Sequence, residues 1–160
     1  MPEIILPIVF LLSLFVLKLV NKRLQYTLSA RIAMTAMLIT TGIAHFVYTK
    51  GMAIMLPDFI PYKTGIIYGT GIIEIFAAIG ILVPKYQRLT GWLLILFFIL
   101  ILPTNIYSAI KQVNMETATY DGAGVEYLWF RIPLQLFFIG WVYFSCIKLP
   151  PKSISLNIKQ

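Results

Sequence analysis

The sequence predicts an all-α integral membrane protein: five transmembrane helices and no soluble domain. Three observations carry this. The chain is 59% hydrophobic and only 12% charged, and a soluble domain of this size lacks the polar groups to cover so much apolar surface. Its apolar residues gather into five runs, each near the ~20 residues that a helix needs to cross a ~30 Å hydrocarbon core. The basic residues stand at the ends of those runs, as topology signals do.

The runs cover about 4–20, 31–48, 65–83, 89–110 and 126–147, within a single membrane domain spanning 1–160. The first has the length of a signal peptide. It is preceded by an acidic Met1-Pro2-Glu3, however, and followed by Lys18, Lys22 and Arg23 rather than a small-residue cleavage site. It is therefore read as a mature transmembrane segment. With the amino terminus outside, nine of the thirteen basic residues lie inside: Lys18, Lys22, Arg23, Arg31, Lys85, Arg88, Lys148, Lys152 and Lys159. Lys50, Lys63, Lys111 and Arg131 lie outside with Glu3, Asp58, Glu116, Asp121 and Glu126. The positive-inside rule thus sets the amino end out and the carboxyl end in. The net charge of +7 reports this topology and not nucleic-acid binding, since no basic patch forms.

The connection Thr49–Lys63 contains Met52, Met55, Phe59, Pro57 and Pro61, too apolar for a free aqueous loop. It either covers the outer mouth of the bundle or anchors in the interface. In the third run, Gly65 and Gly69 form a GxxxG pair, with Gly80 near the same stripe. Ile67, Gly71, Glu74 and Ala78 recur at helical spacing on another face. Two small-residue faces predict a helix approached closely from both sides. In the fourth run Pro103 deprives the carbonyl near Ile99 of its partner, and Thr104, Asn105 or a water is expected to satisfy it. That feature is a kinked polar pocket or a plain helix joint. The outer loop 111–126 is polar, with a turn at Asp121-Gly122. In the last run Trp129 and Tyr143 suit opposite interfacial belts, with Trp141 deeper. The tail from Leu149 onward is short and interrupted by Pro150-Pro151.

Cys146 is the only cysteine, so no CxxC pair exists and thiol exchange with a quinone cannot be carried by this chain alone. Cys146 is a packing residue or a lipidation site. A metal site is not expected, because His45 is the only histidine and has no cysteine or carboxylate at ligand spacing. Hydrolytic triads, phosphate loops and dinucleotide fingerprints are absent.

The polar residues inside the apolar runs are the place to look for function, because a charge at mid-bilayer costs about 2.5–3.5 kcal/mol on insertion scales. At ~1.5 Å per residue, His45 lies about 6 Å below the outer boundary, Asn105 and Arg131 about 8 Å, and Gln135 and Glu74 about 14–15 Å. They converge in the outer half of one small bundle. Glu74 is expected to pair with His45 or Arg131, unless Arg131 snorkels to headgroups. His45 is a helix-end histidine or a proton carrier.

The succession Gly42-Ile-Ala-His45-Phe46, Met52 to Met55, Pro57, Pro61, Tyr68-Gly-Thr-Gly71-Ile-Ile-Glu74, Pro84 and Pro103-Thr-Asn105-Ile-Tyr107 resembles the DoxX family of small membrane proteins over about residues 29 to 110. Tyr68 and Tyr107 stand in these motifs and join the candidate residues. The resemblance implies a four-helix bundle with one added amino-terminal helix, in a bacterial inner membrane. Its relatives include a subunit of a thiosulfate:quinone oxidoreductase and membrane assembly factors, so it implies fold more than activity.

Two functional readings follow. In the first, the chain is a non-self-sufficient subunit or accessory with no intrinsic cofactor. It binds a quinone or lipid in an outer-half pocket formed by His45, Glu74, Asn105, Arg131 and Gln135. In the second, it is a non-catalytic assembly or interaction protein whose polar cluster is structural and whose 51–61 loop meets a membrane or peripheral partner.

Overall fold

A computed structural model describes residues 4–22 and 24–149. The chain forms α1 (Ile5–Asn21), α2 (Tyr26–Val47), the short α3 (Thr49–Met55), α4 (Lys63–Gly80) and α5 (Gln87–Ile110). A 3₁₀ turn (Gly124–Tyr127) then leads into α6 (Leu128–Val142), which continues as a π-helical segment, Tyr143–Lys148. The described residues contain no strand, only an isolated bridge between Asn114 and Thr119. Among the described residues, four helical stretches are long and apolar enough to cross a membrane: Tyr26–Val47, Lys63–Gly80, Gln87–Ile110 and Gly124–Lys148. The 17-residue α1 is apolar but shorter. The expected tail beyond Leu149 and the amino-terminal Met1-Pro2-Glu3 lie outside the described residues.

Local chemistry sets the helix limits. Pro7 falls in the first turn of α1, where backbone N–H groups have no intrahelical partner in any case, and Lys22 ends that helix in the left-handed conformation (φ 53°). α2 begins at Tyr26, five residues before the apolar run, so Arg31 lies inside a helix. The Thr49–Lys63 connection is partly helical. Lys63 ties it down, donating from Nζ to the Leu56 carbonyl (2.9 Å) and to Asp58 Oδ1 (3.0 Å). Met52 and Met55 are half-buried on the bundle, whereas Phe59 is 85% exposed.

α2 is the central helix, packed on α1 and α4 and touching the carboxyl-terminal segment. The α2–α4 contact is the closest. A Cβ on Gly42 would sit 2.8 Å from Ile75 Cγ1, and one on Gly71 would sit 2.8 Å from His45 Cβ and 3.0 Å from the Gly42 carbonyl. α4 buries Ile67, Gly71, Glu74 and Ala78, the face its spacing predicts. The second small-residue face behaves differently. Gly65 and Gly69 meet nothing within 4 Å, and only Gly80 is approached, by Thr90. α4 is thus packed through one face and not two, because α2 covers the Glu74 side while α5 touches only part of the helix.

The core is Met34, Leu38, Ile81, Leu94, Phe98 and Val142, with Leu6 of α1 and Cys146 fully or nearly fully buried beside it. Cys146 is a packing residue. Around this core the exposed surface is apolar, with Leu11, Phe15, Phe76, Leu93, Leu100 and Leu136 all more than half exposed. Such a surface is incompatible with water and suits hydrocarbon, consistent with a membrane protein.

Candidate functional site

His45 stands in the last turn of α2 and Glu74 in the middle of α4, brought together by the Gly42–Gly71 contact. His45 Nδ1 lies 2.8 Å from the Thr41 carbonyl. A carbonyl only accepts, so Nδ1 carries the proton and Nε2 is left as the free ring position. Glu74 Oε2 is 3.6 Å from the same Nδ1, beyond hydrogen-bond distance. It is buried and has no hydrogen-bond partner. The expected Glu74–His45 pair therefore forms as a close approach and not as a bond, because the imidazole proton is committed to the backbone.

The expected pairing of Glu74 with Arg131 does not form. Within 4.0 Å the described residues hold only two ion pairs, His45–Glu74 and Lys63–Asp58. The reason is topological: α4 and α6 are diagonal in the bundle and do not pack on each other. Arg131 is half-buried on α6.

Asn105 and Gln135 form a separate pair on α5 and α6. Asn105 Nδ2 donates to Gln135 Oε1 at 3.2 Å, and Gln135 Nε2 donates to the Phe98 carbonyl. The Phe98 carbonyl lies one residue before the one that Pro103 deprives of a donor. The side chain that reaches this stretch is thus Gln135 of the neighbouring helix, and not Thr104 or Asn105. The polar residues expected as one cluster are two: His45 with Glu74, and Asn105 with Gln135.

Tyr68 stacks on Phe46, with ring centroids 5.5 Å apart. Both line a cavity of about 630 Å³ with Thr49, Lys50, Thr64 and Glu116. Phe46 also packs against α4 near Gly71, its Cε2 lying 3.2 Å from where a Gly71 Cβ would be. Glu74 is one turn further along α4. Tyr107 joins neither pair and instead carries Lys111 Nζ over its ring at 5.9 Å. No group of three or more His, Cys, Asp or Glu able to hold a metal occurs among the described residues.

A third polar cluster escapes sequence reasoning. Arg31, only 4% exposed, donates from Nε to the Thr27 carbonyl (3.2 Å) and from Nη1 to Gln87 Oε1. Gln87 Nε2 in turn donates to the Cys146 carbonyl at 3.0 Å. Reading Arg31 as an inner-loop cation hides it. The signal that finds it is the continuation of helical sequence back to Tyr26.

A family model described as Domain of unknown function (DUF8561) matches residues 34–146. The chain belongs to the DUF8561 family. The match runs from the middle of α2 to Cys146 and includes His45, Glu74, Asn105 and Gln135. It overturns the DoxX resemblance. The motifs behind that resemblance are short, and several meet a packing need in this DUF8561 chain: Gly42 and Gly71 close the α2–α4 contact, His45 bonds its own helix end, and Asn105 pairs with Gln135. No curated protein and no solved structure matches the chain.

Proposed function

We propose that this chain is a multi-pass inner-membrane protein with five spans, amino end outside and carboxyl end inside. In this reading it serves as an accessory or subunit that holds a lipophilic molecule with a polar head, a quinone or a lipid. The observation that supports the binding reading is the Glu74 carboxyl. An Oε2 buried without a hydrogen-bond partner costs about 1–3 kcal/mol relative to a satisfied group, and intramembrane ionisable residues mark functional sites by default. A ligand hydroxyl or carbonyl that bonds Glu74 offsets that cost. The cavity beside Tyr68 and Phe46, on the amino-terminal side of Glu74 along α4, supplies room for a head group.

The asymmetry of basic residues supports the orientation, and the apolar length of α1 supports a fifth span. The chain is an accessory in this reading because its single cysteine cannot form a redox-active pair and its sequence carries no dinucleotide fingerprint, so electrons would come from a partner. Purified protein extracted for quinone and lipid, beside Glu74→Gln, tests the reading. Wild type should retain about one molecule per chain, and the variant should lose most of it. Equal retention by both, with equal stability, removes Glu74 as the site.

A second reading, a non-catalytic assembly protein, is favoured by a different observation. Asn105 and Gln135 satisfy each other and the Phe98 carbonyl entirely within the chain. This half of the polar residues has a structural use, and exposed Phe59 and Tyr62 then form the partner surface.

A further inference from the structure

The Arg31 cluster sits where α1 and α4 stop and α2 and α5 begin. Its guanidinium faces no carboxylate within 4.0 Å among the described residues. Through Gln87 it faces the Cys146 carbonyl of the terminal π-helical segment, the negative pole of that helix, equivalent to only about half an elementary charge. The cation is therefore incompletely neutralised. Nη2 makes no hydrogen bond to a described residue. Lys18, Lys22, Lys85, Arg88 and Lys148 share this end, and no Asp or Glu falls in the described stretches that form it.

Beside the cation, between α1, α2 and α6, runs a groove of about 430 Å³ walled by Phe10, Ala30, Phe137, Gly140, Trp141 and Phe144. Trp141 Nε1 donates to the Ala30 carbonyl at 2.9 Å, so its ring offers the groove only hydrocarbon. Thr27 and Ser145 line the groove and also flank the cation cluster, Thr27 through its carbonyl bond to Arg31.

We infer that this end binds one anionic phospholipid, with its phosphate at Arg31 Nη2 and an acyl chain in the groove. The charge decides the headgroup. A zwitterionic lipid brings a cation of its own to an end that already holds six and has no acid to receive another. An anionic lipid completes the neutralisation that the helix-end carbonyls begin. The site is distinct from the Glu74 region, and it rests on the proposed placement of the basic end in an anionic leaflet.

Native mass spectrometry of the purified full chain, given equal phosphatidylglycerol and phosphatidylcholine, tests the site. Wild type should retain phosphatidylglycerol over phosphatidylcholine by about fivefold, one basic residue's attraction to an anionic surface. Gly140 lines the groove and a Cβ added there meets nothing within 4 Å, so Gly140→Leu fills the groove from an open position. That variant should melt as wild type does and lose the bound lipid. Arg31→Gln should retain lipid but bring the two headgroups to parity. Equal retention of both lipids by wild type overturns the inference, and so does undiminished phosphatidylglycerol on Gly140→Leu. Displacement by glycerol phosphate alone, indifferent to Gly140→Leu, means a soluble-anion site and also overturns it.

Discussion

His45 Nδ1 approaches Glu74 Oε2 to 3.6 Å yet gives its hydrogen bond to the Thr41 carbonyl at 2.8 Å. That carboxyl oxygen is left buried and unpartnered beside a neighbour that is already engaged. An unpaired buried polar group lowers stability, and a similar-sized apolar group removes that loss. Glu74→Met should therefore raise the unfolding free energy in detergent by about 1–3 kcal/mol while abolishing retention of the bound molecule. Thermal unfolding beside lipid and quinone extraction reads both. A loss of stability on Glu74→Met means that the carboxyl has a partner after all.

The two small-residue faces of α4 should respond oppositely to the same substitution. Gly71→Leu must displace His45 and the Gly42 backbone, with an expected loss of about 1–3 kcal/mol from overpacking. Gly69→Ala enters open space and should be neutral or gain up to about 1 kcal/mol from helix propensity. Paired melts of the two variants check this, and a tolerated Gly71→Leu would contradict the close α2–α4 contact.

Gln135 serves two partners where Asn105 serves one. Gln135→Ala is expected to cost about 1–3 kcal/mol, since it leaves the Asn105 amide without its partner and removes the second hydrogen bond to the Phe98 carbonyl. Asn105→Ala should cost near the ~0.6 kcal/mol average for interhelical hydrogen bonds in membranes. A double-mutant cycle should give a positive coupling energy. Strict additivity would mean that the two side chains do not meet.

Outside the spans, hydrogen bonding and charge from Lys63 hold the Asp58 carboxyl below its usual 3.8. A depressed carboxyl pKa contributes stability that is complete above the unfolded value and lost as pH falls through the folded one. The α3–α4 connection should therefore loosen as the pH drops below about 4, and Asp58→Asn should remove that acid dependence. The effect is small, because Asp58 is solvent-exposed and salt screens it. Hydrogen exchange of residues 56–63 between pH 3 and 6 measures it, and an unchanged acid dependence in Asp58→Asn would rule out the pair as its source.

Much of the architecture was legible from one dimension. Bilayer thickness fixes helix length, and helical periodicity fixes which residues share a face. For that reason Ile67, Gly71, Glu74 and Ala78 could be assigned to one buried stripe before any coordinates. Family membership was not legible in the same way, because glycines at contacts and a proline in a span answer to packing in any bundle.

Which faces meet is a different question, and sequence spacing does not answer it. The spacing puts His45, Glu74, Asn105, Gln135 and Arg131 in the same half of the bundle, but depth leaves the azimuth around it undetermined. Only the packed structure puts α4 diagonal to α6 and so separates Glu74 from Arg131, sends Gln135 to the Phe98 carbonyl, and carries Arg31 inside to meet Gln87. The sequence by itself determined the helices and their buried stripes, because hydrophobic length and helical period are local properties. The tertiary structure decided the partners, because a polar group bonds whatever its neighbouring helix places within reach.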